Sequence, residues 1–216
     1  MARKLVSVTL DNADELPMPC RACTLWELGD RNGGATRKDD WLSAVLLEWG
    51  SCGRMLYVDG QVAGFALYAP PAYVGGIPAF SVRSVSPDAV LLLTARILPQ
   101  FAEAGLGRVL IQAVVKDALS RRGVKALEAF GDLKASPDRD PLSDRCVMPA
   151  DFLTAVGFKT VSRHPRYPLF RLELRSVLSW RGDVEVAWER WLGAIRPERA
   201  VGPVGVSPRT DTAGSD

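Results

Sequence analysis

The chain has 216 residues, of which 47% are hydrophobic and 24% charged, with a formal net charge of +2. This length suits one sizeable core, and the composition is that of a globular protein. A net charge this small does not indicate a nucleic-acid binder, and the longest apolar runs are too short to span a bilayer. Acidic residues interrupt the N-terminal segment before any secretory apolar region could form, so we expect a cytoplasmic protein.

The first third of the chain predicts strands and one helix. Residues 4–10 alternate apolar and polar side chains, which is typical of a strand. An apolar stripe at helical spacing over 36–49 predicts a helix. Two strand-like runs in 53–70 meet at Asp59-Gly60, a dipeptide that favours a tight hairpin turn. The loop that follows, 69–88, is long enough to suggest a functional role, such as closing over a substrate.

The middle of the chain predicts a central strand followed by a long helix. Residues 89–98 are too apolar for a half-exposed strand. A long helix over 106–122, a strand over 125–130, a short helix near 150–156 and two further strands follow. Because hairpin and strand-to-helix units both occur, we expect a mixed sheet.

The C-terminal region predicts a separate appendage. One domain over 1–178 is expected, then a helix within 179–196. The apolar face of that helix includes Trp188 and Trp191, so it should dock onto the domain or mediate a homodimer. Residues 197–216 are rich in Pro, Gly and Thr and predict a disordered tail.

Two glycines, Gly105 and Gly107, lie at the start of the predicted long helix. A helix N-terminus carries unpaired N–H groups and partial positive charge, and glycine lets an anion approach the backbone. A close crossing of helix and strand explains the same glycines. A Rossmann fingerprint is excluded because Leu110 stands where the third glycine belongs, and no Gly-Lys-Ser/Thr phosphate loop is present.

The segment "ARILPQFAEAGLGRVLIQAVVKDALSRRGVKALEAF" resembles the GNAT superfamily of acyl-CoA-dependent N-acyltransferases. In that family a strand ends at a proline, and the pattern Q/R-x-x-G-x-G/A and a long helix follow. A second segment, "DFLTAVGFKTV", resembles the family's penultimate helix and the strand after it. The resemblance covers about residues 4–174 and has two motifs in register.

The resemblance implies an α/β fold with a mixed, mostly antiparallel central sheet flanked by helices. It implies transfer of an acyl group, most simply acetyl from acetyl-CoA, to an amine on a small molecule or protein, without a metal. A non-catalytic acyl-CoA-binding module is the alternative. The positions that would bind the cofactor through their backbones are, for the pantetheine, Ala95, Arg96, Ile97 and Leu98 and, for the pyrophosphate, Glu103, Ala104, Gly105, Leu106, Gly107 and Arg108.

The sequence departs from the family pattern at two positions. Ala102 stands at the Q/R position, where Arg108 could supply charge instead. Leu153 stands where a tyrosine often protonates the departing thiolate. A general acid must then come from elsewhere or from water.

Three residues are candidates for proton transfer. Glu128 lies on the predicted strand 125–130 among apolar neighbours that would raise a carboxyl pKa, unless it pairs with an arginine or faces solvent. Glu27 falls where the family forms the wall on the acceptor side. Tyr73, in the long loop, could replace the missing acid.

The four cysteines allow several interpretations. Cys20 and Cys23 form a C-x-x-C that could bind zinc together with Cys52 and Cys146, and thereby support an interaction protein, or act as a redox pair. The second paired knuckle of a strong zinc signature is absent, so wall or core cysteines are the default and no metal is expected. Cys146 could also act as a nucleophile with His164, the single histidine, as its base.

Overall fold

The structure, a computed structural model, describes residues 2–79, 84–102, 105–134 and 146–178. Within these residues one eight-stranded sheet has the strand order β1-β2-β3-β4-β5-β8-β7, and β6 pairs with β5. The strands are β1 (Arg3–Ser7), β2 (Gly53–Val58), β3 (Gln61–Ala69), β4 (Ala89–Ile97), β5 (Ala126–Asp132), β6 (Met148–Pro149), β7 (Lys159–Ser162) and β8 (Leu169–Glu173).

Five α-helices lie among the described residues, and short 3-10 turns join several elements. The longer two helices, α2 and α3, each have a buried apolar face. The helices are α1 (Leu25–Leu28), α2 (Gly34–Glu48), α3 (Leu106–Leu119), α4 (Ala150–Ala155) and α5 (Leu174–Leu178), and the 3-10 turns are Leu10–Glu15, Pro71–Tyr73, Ile77–Ala79 and Pro99–Phe101.

The sheet is mixed and mostly antiparallel, which confirms the predicted fold class. The β4–β5 and β5–β6 pairs are parallel, and the other pairs are antiparallel. The hairpin between β2 and β3 turns at Asp59 and Gly60, whose φ angles of 48° and 81° are both positive, as a primed turn requires. Every residue of β5 is buried, as expected of a strand covered on both faces.

Helices cover the two faces of the sheet. On one face Trp41, Leu42 and Val45 of α2 pack in a single cluster with side chains of the sheet such as Phe65 and Leu91. On the other face α3 packs against β2, β3 and β4. There the Tyr68 hydroxyl donates a hydrogen bond of 2.8 Å to the Asp117 carboxylate of α3. The alternation of side chains along the strands therefore supplies two apolar layers at once.

Some boundaries differ from the sequence prediction. The first strand ends at Ser7 because a 3-10 turn begins at Leu10, and the Asn12 side chain caps that turn by accepting from the Thr9 N–H at 2.9 Å. The short elements α1, β6 and α5 were not predicted, since four, two and five residues are too few to show a period. The predicted C-terminal helix and tail lie outside the described residues. Among the described helices, none combines the length and apolarity needed to cross a membrane.

A pair of glycines in the loop after β3 holds that loop against α1. The Gly75 and Gly76 N–H groups donate to the carbonyls of Glu27 (2.9 Å) and Trp26 (2.8 Å). A Cβ atom at Gly76 would lie 2.0 Å from the carbonyl oxygen of Leu25, whereas at Gly75 the nearest atom, the Glu27 oxygen, would be 3.0 Å away. Glycine at position 76 is therefore required by close backbone approach.

Replacing Gly76 with alanine should destabilise the protein by about 3 kcal/mol, because the backbone of α1 cannot move away without losing its contacts. Gly75→Ala is the matched control and should cost about 1 kcal/mol, since its neighbour needs only a small shift. Urea unfolding of both variants measures the difference. Equal losses in the two variants would contradict the close approach at Gly76.

Candidate functional site

The sheet opens between its two central strands. The parallel pairing of β4 with β5 consists of three residue pairs in the described chain, from Ala89↔Ala126 to Leu91↔Glu128. Beyond this point β5 pairs with β6 instead, through Gly131↔Met148. The remainder of β4 keeps its antiparallel pairing with β3. In the described residues the pairing of β4 with β5 therefore ends after Leu91, and we call the stretch beyond it, between these two strands, the β4–β5 opening.

The backbone of β4 presents hydrogen-bonding groups to this opening. The Leu98 N–H donates to the Ala63 carbonyl on β3 at 2.8 Å. Neighbouring residues of a strand direct their backbone groups to opposite sides. The groups of Ile97 and Ala95 therefore point away from β3, whereas those of Arg96 and Leu98 point towards it. Two of the four residues predicted to bind pantetheine thus face the opening.

The N-terminus of α3 follows β4 after the 3-10 turn Pro99–Phe101. Gly105 caps the helix with φ 68°, and a Cβ atom there would meet nothing within 4 Å. The first N–H groups of the helix lack carbonyl partners within it, which favours an anion. Arg108, exposed in the first turn, donates a hydrogen bond of 3.4 Å to the Ala155 carbonyl. Glu103 and Ala104, also predicted here, lie outside the described residues.

The two glycines of the predicted phosphate loop have different structural reasons. Gly105 needs its left-handed backbone conformation. Gly107 needs its small size, because a Cβ atom would lie 2.8 Å from Cε2 of Phe152 on α4. Close packing thus explains the second glycine, as the alternative reading of the sequence allowed, although the neighbour is a helix side chain.

Both departures from the family pattern keep their expected consequences. Leu153 is fully buried, and its Cδ1 atom would lie 3.1 Å from a Cβ placed at Gly131 of β5. It therefore fills a core position below the opening and offers no proton. Ala102 is exposed at the end of the turn before α3.

Glu128 is completely buried at the last β4–β5 pair. Its carboxylate accepts hydrogen bonds from the Ser86 N–H (2.9 Å) and from the Arg171 guanidinium (3.0 Å). Arg171 also donates to Asp88 at 3.0 and 3.2 Å, and this contact holds the pKa of Asp88 below its usual range. Glu128 therefore pairs with an arginine, which was one of the alternatives that the sequence allowed. The role of Glu128 as a base stays a prediction.

Glu27 on α1 forms a buried ion pair with Lys38 of α2, and both side chains are almost fully inaccessible. The lysine missed by the sequence analysis neutralises the carboxylate in the core. No sequence signal links the two residues, because they belong to different helices. The role of Glu27 as a base also stays a prediction.

Tyr73 lies at the end of the 3-10 turn after β3 and packs beside α2. Its hydroxyl donates a hydrogen bond of 2.6 Å to Glu48, and this contact raises the pKa of the Tyr73 phenol. The Trp41 indole N–H donates to the Tyr73 carbonyl at 2.7 Å. The structure thus fixes Tyr73 against α2, and its role as an acid stays a prediction.

The short helix α1 forms a wall beside β5 and β6. Trp26 stacks on Phe130 of β5 with ring centroids 5.9 Å apart, and its indole N–H donates to the Cys146 carbonyl at 2.7 Å. The loop after β3 is attached to the same helix through Gly75 and Gly76. The structure therefore brings α1, that loop and β6 together.

The two cysteines in contact are not those of the C-x-x-C motif. The sulfur of Cys23 lies 2.7 Å from that of Cys146, whereas Cys20 and Cys52 are buried apart from this contact. In the described part of the chain no group of three or more metal-ligating side chains comes together. The Nδ1 atom of His164 accepts from the N–H groups of Arg166 and Tyr167. The lone pair of Nδ1 is therefore used in hydrogen bonds within the loop that contains His164.

Comparison with solved structures places this architecture among known folds. The chain is similar to the loading GNATL domain of CurA from Lyngbya majuscula (TM-score 0.53, 14% identity, covering 82% of this chain and 100% of that one). It is similar to the acetyltransferase yncA from Salmonella typhimurium, solved with its cofactor acetyl-CoA (TM-score 0.55, 15% identity, covering 81% of this chain and 95% of that one). It is also similar to an N-acetyltransferase from Staphylococcus aureus Mu50 (TM-score 0.54, 11% identity, covering 81% of this chain and 99% of that one).

These likenesses show that the chain has the GNAT fold, which confirms the resemblance noted in its sequence at the level of the fold. No protein-family model matches the chain, and comparison with curated proteins found no match.

Removal of the Lys38 charge should destabilise the protein strongly, because Glu27 would then be a buried and uncompensated carboxylate. We expect Lys38→Met to lower the free energy of unfolding by about 3–5 kcal/mol. The double variant with Glu27→Gln removes both charges and should recover part of that loss. Urea unfolding of the two variants measures this coupling, and strictly additive losses would show that the ion pair is energetically unimportant.

Proposed function

We propose that this chain is an acyl-CoA-dependent acyltransferase that transfers an acetyl group from acetyl-CoA to an amine on a small molecule or protein. The observation that carries the proposal is the β4–β5 opening beside the N-terminus of α3. The outward backbone groups of Ala95 and Ile97 precede the start of α3 at Leu106 along the chain, which is the order in which a pantetheine arm and a pyrophosphate would require them.

The donor would bind mainly through the backbone. The outward groups of Ala95 and Ile97 would pair with the pantetheine amides as an added strand does. The first N–H groups of α3, after Gly105, would bind the pyrophosphate, with Arg108 adding charge in the first turn. The acetyl-CoA in the Salmonella structure supports this assignment, because that protein shares the fold.

The chain's contribution to acyl transfer would be mostly positional. A neutral amine held against the thioester carbonyl attacks it, and the thiolate of the cofactor leaves. The amine must lose a proton, for which Glu128 and Glu27 are the proposed acceptors. Because Leu153 has no proton to give, the thiolate would be protonated by Tyr73 or by water.

A conservative substitution tests the role of Glu128 as a base. Glu128→Gln keeps a side chain that accepts from Arg171 while removing the base, so we expect kcat to fall by about 100-fold or more. Asp88→Asn is the matched control, because Asp88 also binds Arg171 yet lies outside the proposed chemistry. Its kcat should change little. If the two variants lose activity equally, Glu128 serves only to hold the ion cluster together.

Charge at the start of α3 should control cofactor affinity. Arg108→Glu places a negative charge in the first turn. We expect the dissociation constant for CoA, measured by calorimetric titration, to rise about tenfold. Lys116→Glu makes the same charge change on an exposed residue in the last turn of the same helix. It should leave the affinity nearly unchanged, because the two ends are more than a screening length apart. Equal effects would contradict the assignment of the pyrophosphate site.

A non-catalytic acyl-CoA-binding module is the second candidate, and the burial of Leu153 at the usual acid position favours it. Release of free thiol from acetyl-CoA in the presence of a panel of amines separates the two. We expect thiol release that depends on one class of amine. Tight CoA binding without release for any amine would favour the binding module, and absence of binding would overturn both.

A further inference from the structure

The contact between Cys23 and Cys146 is unexplained by acyl transfer. Cys23 lies just before α1, and Cys146 lies just before β6, 123 positions later in the chain. Their sulfur atoms are 2.7 Å apart, closer than the van der Waals contact of two sulfur atoms, so the two side chains are in direct contact. The Cys146 carbonyl is anchored by the Trp26 indole at 2.7 Å, and Trp26 in turn stacks on Phe130. The pair is therefore held by the core.

The two sulfurs have opposite chemical characters. The contact with Cys146 lowers the pKa of Cys23 to about 6, although burial opposes it. The Leu25 N–H and the Lys38 charge also lower this pKa, whereas the Glu27 carboxylate raises it. The same contact, together with burial, raises the pKa of Cys146. The lowered pKa favours ionisation of Cys23, and the raised pKa keeps the proton on Cys146.

The other two cysteines provide a contrast within the same chain. Burial raises the pKa of Cys20, and it raises that of Cys52 to about 12. Cys52 is fully inaccessible, whereas Cys146 is partly exposed and Cys23 is 8% exposed. A small oxidant therefore meets one reactive sulfur, that of Cys23, with the sulfur of Cys146 beside it. The C-x-x-C spacing of Cys20 and Cys23 does not define the pair.

We propose that Cys23 and Cys146 form a dithiol site that hydrogen peroxide, or another small hydroperoxide, oxidises to a disulfide. Cys23 is the attacking residue and Cys146 the resolving one. This site is independent of the proposed acyltransferase activity, because it requires neither the β4–β5 opening nor α3.

The reaction balances without any further cofactor. The Cys23 thiolate attacks one peroxide oxygen, the O–O bond breaks, and the departing hydroxide takes a proton to become water. Cys23 is now a sulfenic acid. The Cys146 sulfur attacks the Cys23 sulfur, the S–O bond breaks, and hydroxide leaves with the Cys146 proton as a second water. Two thiols lose two electrons, and the peroxide gains them.

Oxidation would fasten α1 to the start of β6. Both segments border the end of β5, since Trp26 stacks on Phe130 and Met148 pairs with Gly131. The crosslink would close a long loop of chain, which stabilises the folded state by restricting the unfolded one.

Tryptic mapping of the full-length protein tests the pairing. The four cysteines fall in four different tryptic peptides, because Arg21 separates Cys20 from Cys23 and Arg145 precedes Cys146. Reduced protein is treated with hydrogen peroxide, the remaining thiols are blocked with N-ethylmaleimide, and the digest is analysed by mass spectrometry. We expect the peptides 22–31 and 146–159 to be joined with the loss of two hydrogen atoms.

Variants assign the two roles. In Cys146→Ser, dimedone should trap a sulfenic acid on Cys23, whereas in Cys23→Ser, Cys146 should remain unoxidised at the same peroxide dose. Cys20→Ser is the matched control and should form the same disulfide as the unaltered protein. A disulfide between Cys20 and Cys23, or four fully blocked thiols after peroxide, would overturn the proposal.

The pH dependence of thiol reactivity tests the origin of the thiolate. Alkylation of Cys23 by iodoacetamide should reach half of its maximal rate near pH 6 and decline below it, because only the thiolate reacts. Cys146→Ala removes the donor and should raise this midpoint, whereas Cys20→Ser should leave it in place. A midpoint of about 8.5 in the unaltered protein, the ordinary value for a thiol, would contradict the hydrogen-bonded pair.

Discussion

The short parallel contact between β4 and β5 is the constraint on which the rest of the molecule depends. Among the described residues the pairing of the two central strands ends after three pairs, at Leu91↔Glu128, whereas β4 continues beside β3 to Ile97. An unpaired edge in a buried region is costly unless something hydrogen-bonds to it. Among the described residues, β6 pairs with β5 only at Gly131 and Asp132. Under the proposed function, the remaining length of β4 would bind the extended arm of the cofactor.

Buried charges hold the closed end of this opening. Glu128, at the last pair, accepts from the backbone before β4 and from Arg171 on β8, which also binds Asp88. One guanidinium thus connects the segment before β4 with β5 and β8. Charges are expensive to bury, so such a cluster persists only where its members satisfy one another. The carboxylate that we propose as a base therefore also lies at the last pair before the strands separate.

The other side of the opening combines segments that are distant in sequence. The helix α1 contacts the loop after β3 through Gly76, β5 through Trp26, and β6 through Cys146. The cysteine pair and the Glu27–Lys38 ion pair both belong to this wall. Acyl-group chemistry and thiol chemistry would therefore lie on neighbouring parts of one structure while using different residues.

The sequence by itself determined the order of the longer strands and helices, the hairpin at Asp59-Gly60, the central strands and the glycine at the start of α3, because periodicity and positive φ are local properties. It also indicated the fold, through two motifs in register. Only the tertiary structure decided what each buried polar group contacts. Glu128 finds Arg171, Glu27 finds Lys38, and Cys23 finds Cys146 instead of Cys20. These pairs join residues of different elements, and no local pattern specifies which of many chemically suitable partners the fold brings within hydrogen-bonding distance.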